Sequence, residues 1–238
     1  MTEYQQQPSA LQKLTGTIEL TAGQAVVIKQ TYVLLGVSVF CALAGGYIGA
    51  TSETLARLFS GWTGWIGTML ILNIVPRVAI AARHNPVLGV SALVADGFLS
   101  GIAIAPLLWI ARQVDPQLIF IALAVSAFVF IGVTGYVMIS GRSFSAPRGL
   151  MAGMFFATIG IALLNSFVLH IGLLAIVVSL GIAALGVCIL VYSTSSVLRS
   201  SAADSPIPGA LSLFAGIFNI FVATLSIVLR ILGGGRRS

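Results

Sequence analysis

Seven stretches of this sequence are long and apolar enough to cross a lipid bilayer, and nothing else in the chain constrains its fold as strongly. A membrane helix needs about 20 mainly apolar residues. The stretches run roughly Thr31–Ala50, Gly61–Ala82, Val87–Ile110, Leu118–Ile139, Gly149–Leu169, Gly172–Tyr192 and Gly209–Leu232. Only His170 and Gly172 mark the join between the fifth and sixth, so fusion of that pair into one bent element would leave six. The expected fold is an all-α integral membrane protein of seven transmembrane helices. Residues 1–29 form a polar N-terminal tail without sustained periodicity, residues 30–233 the membrane domain, and residues 234–238 a short basic tail.

Composition excludes a soluble alternative. Hydrophobic residues make up 58% of the chain and charged residues 8%, against about 25% charged in an ordinary globular domain. So few charges cannot cover a water-facing surface, and the lipid bilayer is the expected partner for most of it. The net charge of +6 does not point to nucleic acid. The Lys and Arg residues are scattered in ones and twos, without the basic stripe and interleaved aromatics of such a site. Cys41 and Cys188 each lie in an apolar run, a setting for packing rather than for a disulfide or a metal. No metal ligand set and no cofactor motif stands out.

Basic residues are enriched in cytoplasmic loops. With the N-terminus inside, the cytoplasmic set is Lys13, Lys29, Arg83, Arg142, Arg148 and Arg199, with Arg77 near its end of the second span. The opposite set is Arg57, Arg112, Arg230, Arg236 and Arg237. The loops favour the N-terminus in, and an odd helix count then puts the basic C-terminal tail outside. Gly45 with Gly49, Gly97 with Gly101, and Gly149 with Gly153 are each four apart, the spacing at which small residues let helix backbones approach in lipid. Pro76 and Pro106 fall within spans and are expected to kink them.

Asp96 is the only acidic residue deep within any of these spans. An ionisable residue there is costly and is a functional candidate by default. If the turn between the second and third spans centres on Asn85, Arg77 and Asp96 differ in level by roughly 4.5 Å, while Arg83 lies roughly 13 Å lower than Asp96. Arg77 is therefore the expected partner of Asp96, with Arg83 at the cytoplasmic mouth. Such a pair serves either to neutralise two charges and fix two helices, or as a proton-sensitive latch. Asn73, Asn165 and Asn219 are expected to hydrogen-bond across helix interfaces, for about 0.6 kcal/mol each. No lysine lies within these spans, which excludes a retinal Schiff base. No G-x-S-x-G, H-E-x-x-H or Walker A pattern is present. A membrane aspartyl protease needs two intramembrane acids and there is one. No enzyme is expected.

The closing part of the chain carries a resemblance. Tyr192-Ser193-Thr194-Ser195 is followed by Leu213-Phe214-Ala215-Gly216-Ile217-Phe218-Asn219-Ile220-Phe221 and Leu229-Arg230-Ile231-Leu232-Gly233. With the loop Ser140–Ser145 and Ser100-Gly101 ahead of Pro106, these resemble the motifs of the Bax inhibitor-1 (TMBIM-type) family, in order and spacing, over roughly Lys29 to Gly233. In calcium-leak members two aspartates form a pH-sensing pair that engages an arginine. The resemblance matches the arginine to Arg83 and the aspartates to Ser193 and Gly216. Both carboxylates are missing, so the like-charge pair that raises a carboxylate pKa cannot form from these two positions.

Thr31-Tyr32, Asn219-Ile220-Phe221-Val222 and Leu225-Ser226-Ile227 are similar to a bacterial inner-membrane branch of that family. Its members are associated, as substrate and modulator, with the membrane-anchored AAA protease FtsH and its HflKC partners. The resemblance implies a protease modulator whose polar N-terminal tail a cytoplasmic protease can grasp. The alternative is a pH-sensitive calcium or proton leak using Asp96 with Arg77 and Arg83.

Overall fold

A computed structural model describes residues 22–140, 144, 148–165, 168, 171–199 and 205–234. Among the described residues there are helices and no strand. The helices are α1 (Ala22–Thr51), α2 (Glu53–Leu58), α3 (Gly61–Ala81), α4 (Pro86–Ala103), α5 (Ala105–Val114), α6 (Gln117–Ser140), α7 (Arg148–Leu164), α8 (Gly172–Leu198) and α9 (Pro206–Gly234). Six of them (α1, α3, α4, α6, α8 and α9) are long and apolar enough to cross a membrane, and α7 is a shorter apolar helix.

Contacts between the helices fix their directions, and with them the number of crossings. At the start of α1, Thr31 lies against Gly209 at the start of α9. At the other end of α1, Ala50 shares a cluster with Leu225, well along α9. The two helices therefore run parallel. Val197, near the end of α8, also meets Gly209, so α8 finishes where α9 begins. Phe144, just past the end of α6, donates its backbone N–H to Ser195 Oγ at 3.0 Å. Helices α6 and α8 thus end at the same side, and the chain between them must cross back through α7. The bundle has seven crossings, and its last helix finishes opposite the side where α1 starts. We call the side that holds the start of α1 the basic end, because Lys29, Arg83 and Arg199 lie there.

Two sequence expectations change. Helix α1 begins at Ala22, within the stretch expected to be a polar tail up to residue 29. The first turns carry Gln24, Lys29 and Gln30 beyond the apolar run, while Val27 is buried; a hydropathy window ends where the lipid ends, not where the helix does. The third span is broken at Ile104 into α4 and α5, with Pro106 in the first turn of α5. A proline there sacrifices no helical N–H. Helix α3, by contrast, continues through Pro76.

Two close approaches hold the bundle together. Along α1 and α4, Gly45 faces the Phe98 carbonyl, Gly97 the Ser38 carbonyl, Gly101 the Ala42 carbonyl, and Gly49 the Ala105 side chain. Lipid tails are as apolar as the helices, so such packing drives association where water cannot. The second approach is between α8 and α9, where Gly186 and Gly216 face one another. The third glycine pair does not act this way, since a Cβ at Gly149 or Gly153 meets nothing within 4 Å among the described residues. Buried clusters fill the interior at three levels. Ala79, Leu93, Ile207, Ala210 and Leu211 lie nearest the basic end. Leu35, Leu190, Leu213 and Phe214 belong to a second cluster, and Ala50, Leu108, Leu118 and Leu225 to one at the far end. Phe128 and Ile139, 79% and 89% exposed, mark the lipid-facing side of α6.

Candidate functional site

A cavity of about 1200 Å³ opens at the basic end, between the starts of α1 and α9, the turn joining α3 to α4, and the end of α8. Local sequence builds each wall. Asn85 Oδ1 accepts from the backbone N–H of Val87 and Leu88 at 3.1 and 3.2 Å, and Pro86 opens the helix. This cap ends the α3–α4 turn sharply and leaves Arg83 and His84 on the turn at the cavity wall. Arg83 Nε donates to His84 Nε2 at 3.1 Å. Lys29 and Gln30 come from α1, and Ser193 and Tyr192 from α8. The Thr31 hydroxyl donates to the Val27 carbonyl at 2.8 Å, which leaves its methyl against Gly209 and lets α9 start close to α1. No carboxylate lines the cavity among the described residues.

Beside it sits a group of hydroxyls from three helices. The Tyr32 hydroxyl of α1 faces those of Thr134 on α6 and Thr194 on α8, yet none of the three makes a formed hydrogen bond among the described residues. Ser193 Oγ is likewise buried and unpartnered. Ser195 is the exception in this run, because it holds the Phe144 N–H, and the Phe144 ring packs on Tyr136. The Tyr192–Ser195 motif thus serves two purposes: it places hydroxyls in the interior and holds Phe144, just past α6.

Asp96 is 3% exposed, on the face of α4 that also buries Leu93, Gly97 and Ser100. Its Oδ1 has no hydrogen-bond partner among the described residues. The expected pair with Arg77 is not formed: Arg77 is exposed, and the one ion pair among the described residues is Arg57–Glu53, at the far end. The axial levels were compatible, but the rotation was not. Helix α3 turns Ala79, fully buried, toward the interior, and Arg77, two residues earlier, points about 200° away from it. Arg83 does lie at the mouth of the basic-end cavity. Val90, Leu93 and Asp96 lie about 6, 10 and 15 Å in from Pro86. The Leu93–Ile207–Leu211 cluster, with Leu34 against it, therefore fills the level between the cavity, which Val90 lines, and the acid.

The two positions matched to the family's aspartates have different surroundings. Ser193 opens on the cavity. Gly216 is closed in, since a Cβ there lies 2.7 Å from Leu190 Cγ and 3.1 Å from the Gly186 carbonyl oxygen. The cross-helix bonds expected of the asparagines are absent among the described residues. Asn73 Nδ2 donates to Met69 O of its own helix at 2.8 Å, and Asn165 Oδ1 accepts from Ile171 N, six residues on, at 2.9 Å. Asn219 is half-buried and makes no hydrogen bond among the described residues. His170 and the tails of residues 1–21 and 235–238 lie outside the described residues.

Sequence reasoning missed Lys29, Tyr32, Thr134 and Thr194 as site residues. The only signal was the run of hydroxyls after Tyr192; nothing in the spacing of Tyr32 and Thr134 says that they meet it. The assembled features are a basic, hydroxyl-lined cavity open at one end of the bundle and a separate buried carboxyl below it. No group of three His, Cys, Asp or Glu side chains converges among the described residues.

Residues 24–237 match the family model described as Inhibitor of apoptosis-promoting Bax1. Among curated relatives, an uncharacterised protein of Campylobacter jejuni is 26% identical over 210 residues, covering 86% of this chain and 88% of the relative. The Escherichia coli K12 protein named Modulator of FtsH protease YccA is 28% identical over 209 residues, covering 85% and 89%. Its counterpart in Escherichia coli O6:H1, named Inner membrane protein YccA, matches to the same extent.

Proposed function

The chain belongs to the Bax inhibitor-1 family, and from that premise we propose that it modulates the membrane protease FtsH in a bacterial inner membrane, with the basic end of the bundle in the cytoplasm. The observation that carries this reading is the end-to-end likeness to the E. coli protein named as a modulator of that protease. Orientation follows from charge. Lys29, Arg83 and Arg199 sit at the end where α1 starts, without a described acid beside them, while the far end mixes Glu53 and Asp115 with Arg57, Arg112 and Arg230. Positive charge is retained on the cytoplasmic side. Residues 1–21 join the bundle at that same end, within reach of a cytoplasmic protease and of HflKC-type partners. In this role the chain acts by occupying or restraining the protease and carries out no reaction of its own.

The test is co-purification with FtsH, and turnover of the chain in cells, for the full chain and for a variant lacking residues 1–21. The full chain is expected to co-purify and to be degraded, and the truncated chain to lose both. Association and turnover that survive the truncation unchanged would remove the N-terminal segment from the mechanism.

One observation supports a second reading. Asp96 is buried, with an Oδ1 that has no partner among the described residues, and a buried intramembrane acid is a candidate for proton or ion handling. In liposomes containing the full chain, Asp96→Asn is expected to alter the pH dependence of proton or calcium flux. A variant that conducts and responds to pH like the parent, at equal incorporation, takes the acid out of any such activity.

A further inference from the structure

We infer that the cavity at the basic end is a binding site for a phosphate-bearing anion. Three features of the cavity converge on that chemistry. Its volume of about 1200 Å³ exceeds what a phosphate or a lipid headgroup needs, since pockets for small ligands span about 300–1,000 Å³. Lys29 and Arg83 both line it, and neither makes an ion pair among the described residues. An arginine carries five N–H donors; His84 takes only the Nε one, which orients the guanidinium and leaves its two terminal nitrogens for an oxyanion. Ser193, 2% exposed, forms part of the wall, and its Oγ, closed off from solvent, has no partner among the described residues.

A cation is the wrong occupant, because the described lining holds no carboxylate and hard cations are bound by several oxygens of which carboxylates supply the charge. An anion satisfies the two cations, which have no ion pair among the described residues, through charge-assisted hydrogen bonds. Two sources can supply this chemistry: a soluble phosphate, or the headgroup of an anionic phospholipid. Val26 and Val33, 54% and 58% exposed, continue the cavity wall toward the lipid-facing side of α1, where an acyl chain can lie. The site is independent of the protease reading and does not stand or fall with it.

The experiment uses the full chain in detergent and two probes. Native mass spectrometry compares retention of phosphatidylglycerol with that of phosphatidylcholine, and calorimetry measures binding of inorganic phosphate. The variants are the pair Lys29→Gln with Arg83→Gln, the single Arg83→Gln, and Arg57→Gln at the far end. The parent is expected to retain phosphatidylglycerol over phosphatidylcholine. The double variant is expected to lose about ten-fold or more of that retention, the effect of losing a charge-assisted hydrogen bond, and the single Arg83→Gln to lose a smaller part. Arg57→Gln is expected to bind like the parent.

Phosphate binding without lipid selectivity, lost in the same variants, assigns the site to a soluble anion and supports the inference. The inference is overturned if the parent shows neither lipid selectivity nor phosphate binding. It is equally overturned if the folded double variant binds as the parent does. Should the double variant fail to elute as a folded species, the single Arg83→Gln decides, and parent-like binding by it overturns the site.

Discussion

Gly101→Leu is expected to unfold or severely weaken the bundle. A Cβ at residue 101 runs into the Ala42 carbonyl and lies 2.6 Å from the Gly46 backbone nitrogen. Both are backbone atoms of α1, so no rotamer change relieves the clash and the two helices must separate. Separation also disturbs Gly45 against Phe98 and Gly97 against Ser38, since one interface carries all of them. Overpacking alone costs about 1–3 kcal/mol, and loss of the shared close approach adds to it. A fall of about 10 °C or more in melting temperature follows at the few degrees per kcal/mol expected for a chain of this size. The control is Gly132→Leu. Residue 132 is exposed on α6, where a Cβ meets nothing within 4 Å, and its melting temperature in detergent is expected to stay near that of the parent. Equal melting of the two variants would show that the α1–α4 approach contributes little to stability.

Gly216→Asp is expected to damage the protein and not to give it pH-sensitive calcium flux. The substitution restores a carboxylate where calcium-leak members of the family resemble this chain, so a purely positional argument expects a gain of function. The surroundings argue otherwise. A Cβ at 216 sits 2.7 and 2.8 Å from two atoms of Leu190 and 3.1 Å from the Gly186 carbonyl oxygen. Leu190 is fully buried within the central cluster and has little room to move, and the carbonyl is an acceptor that repels a carboxylate. A buried charge without a partner costs several kcal/mol. The expected outcome is a destabilisation of about 3 kcal/mol or more, read as loss of folded protein in detergent. Ser193→Asp, opening on the cavity, is expected to fold. A well-folded Gly216→Asp protein, with flux that changes with pH, would mean that α8 and α9 can part at this point without cost.

The contrast between these two positions shows what the sequence could and could not convey. The seven crossings and their order were legible from hydropathy, because each span must satisfy its own backbone in lipid. The glycine spacing at 45, 49, 97 and 101 identified a real interface. The same spacing at 149 and 153 did not, because spacing along one helix says nothing about whether a second helix faces it. Arg77 and Asp96 failed as a pair for a related reason: rise per residue gave matching depths, but the direction each side chain faces depends on which stripe of α3 is buried. The six-or-seven ambiguity at His170 was likewise resolved by contacts far from it, between α1 and α9 and between Phe144 and Ser195. Most of the basic-end cavity was illegible. Lys29, Arg83, Ser193 and Ser205 come from four separate parts of the chain, and only the fold brings them to one cavity.

The most direct test of the protease assignment is reconstitution of FtsH with this chain in liposomes, measuring the degradation of a separate membrane substrate over time. Full-length protein is expected to slow that degradation several-fold in a dose-dependent way, and the form lacking residues 1–21 to have little effect. Degradation at the same rate with and without the full chain, at equal incorporation, would contradict a modulator of FtsH.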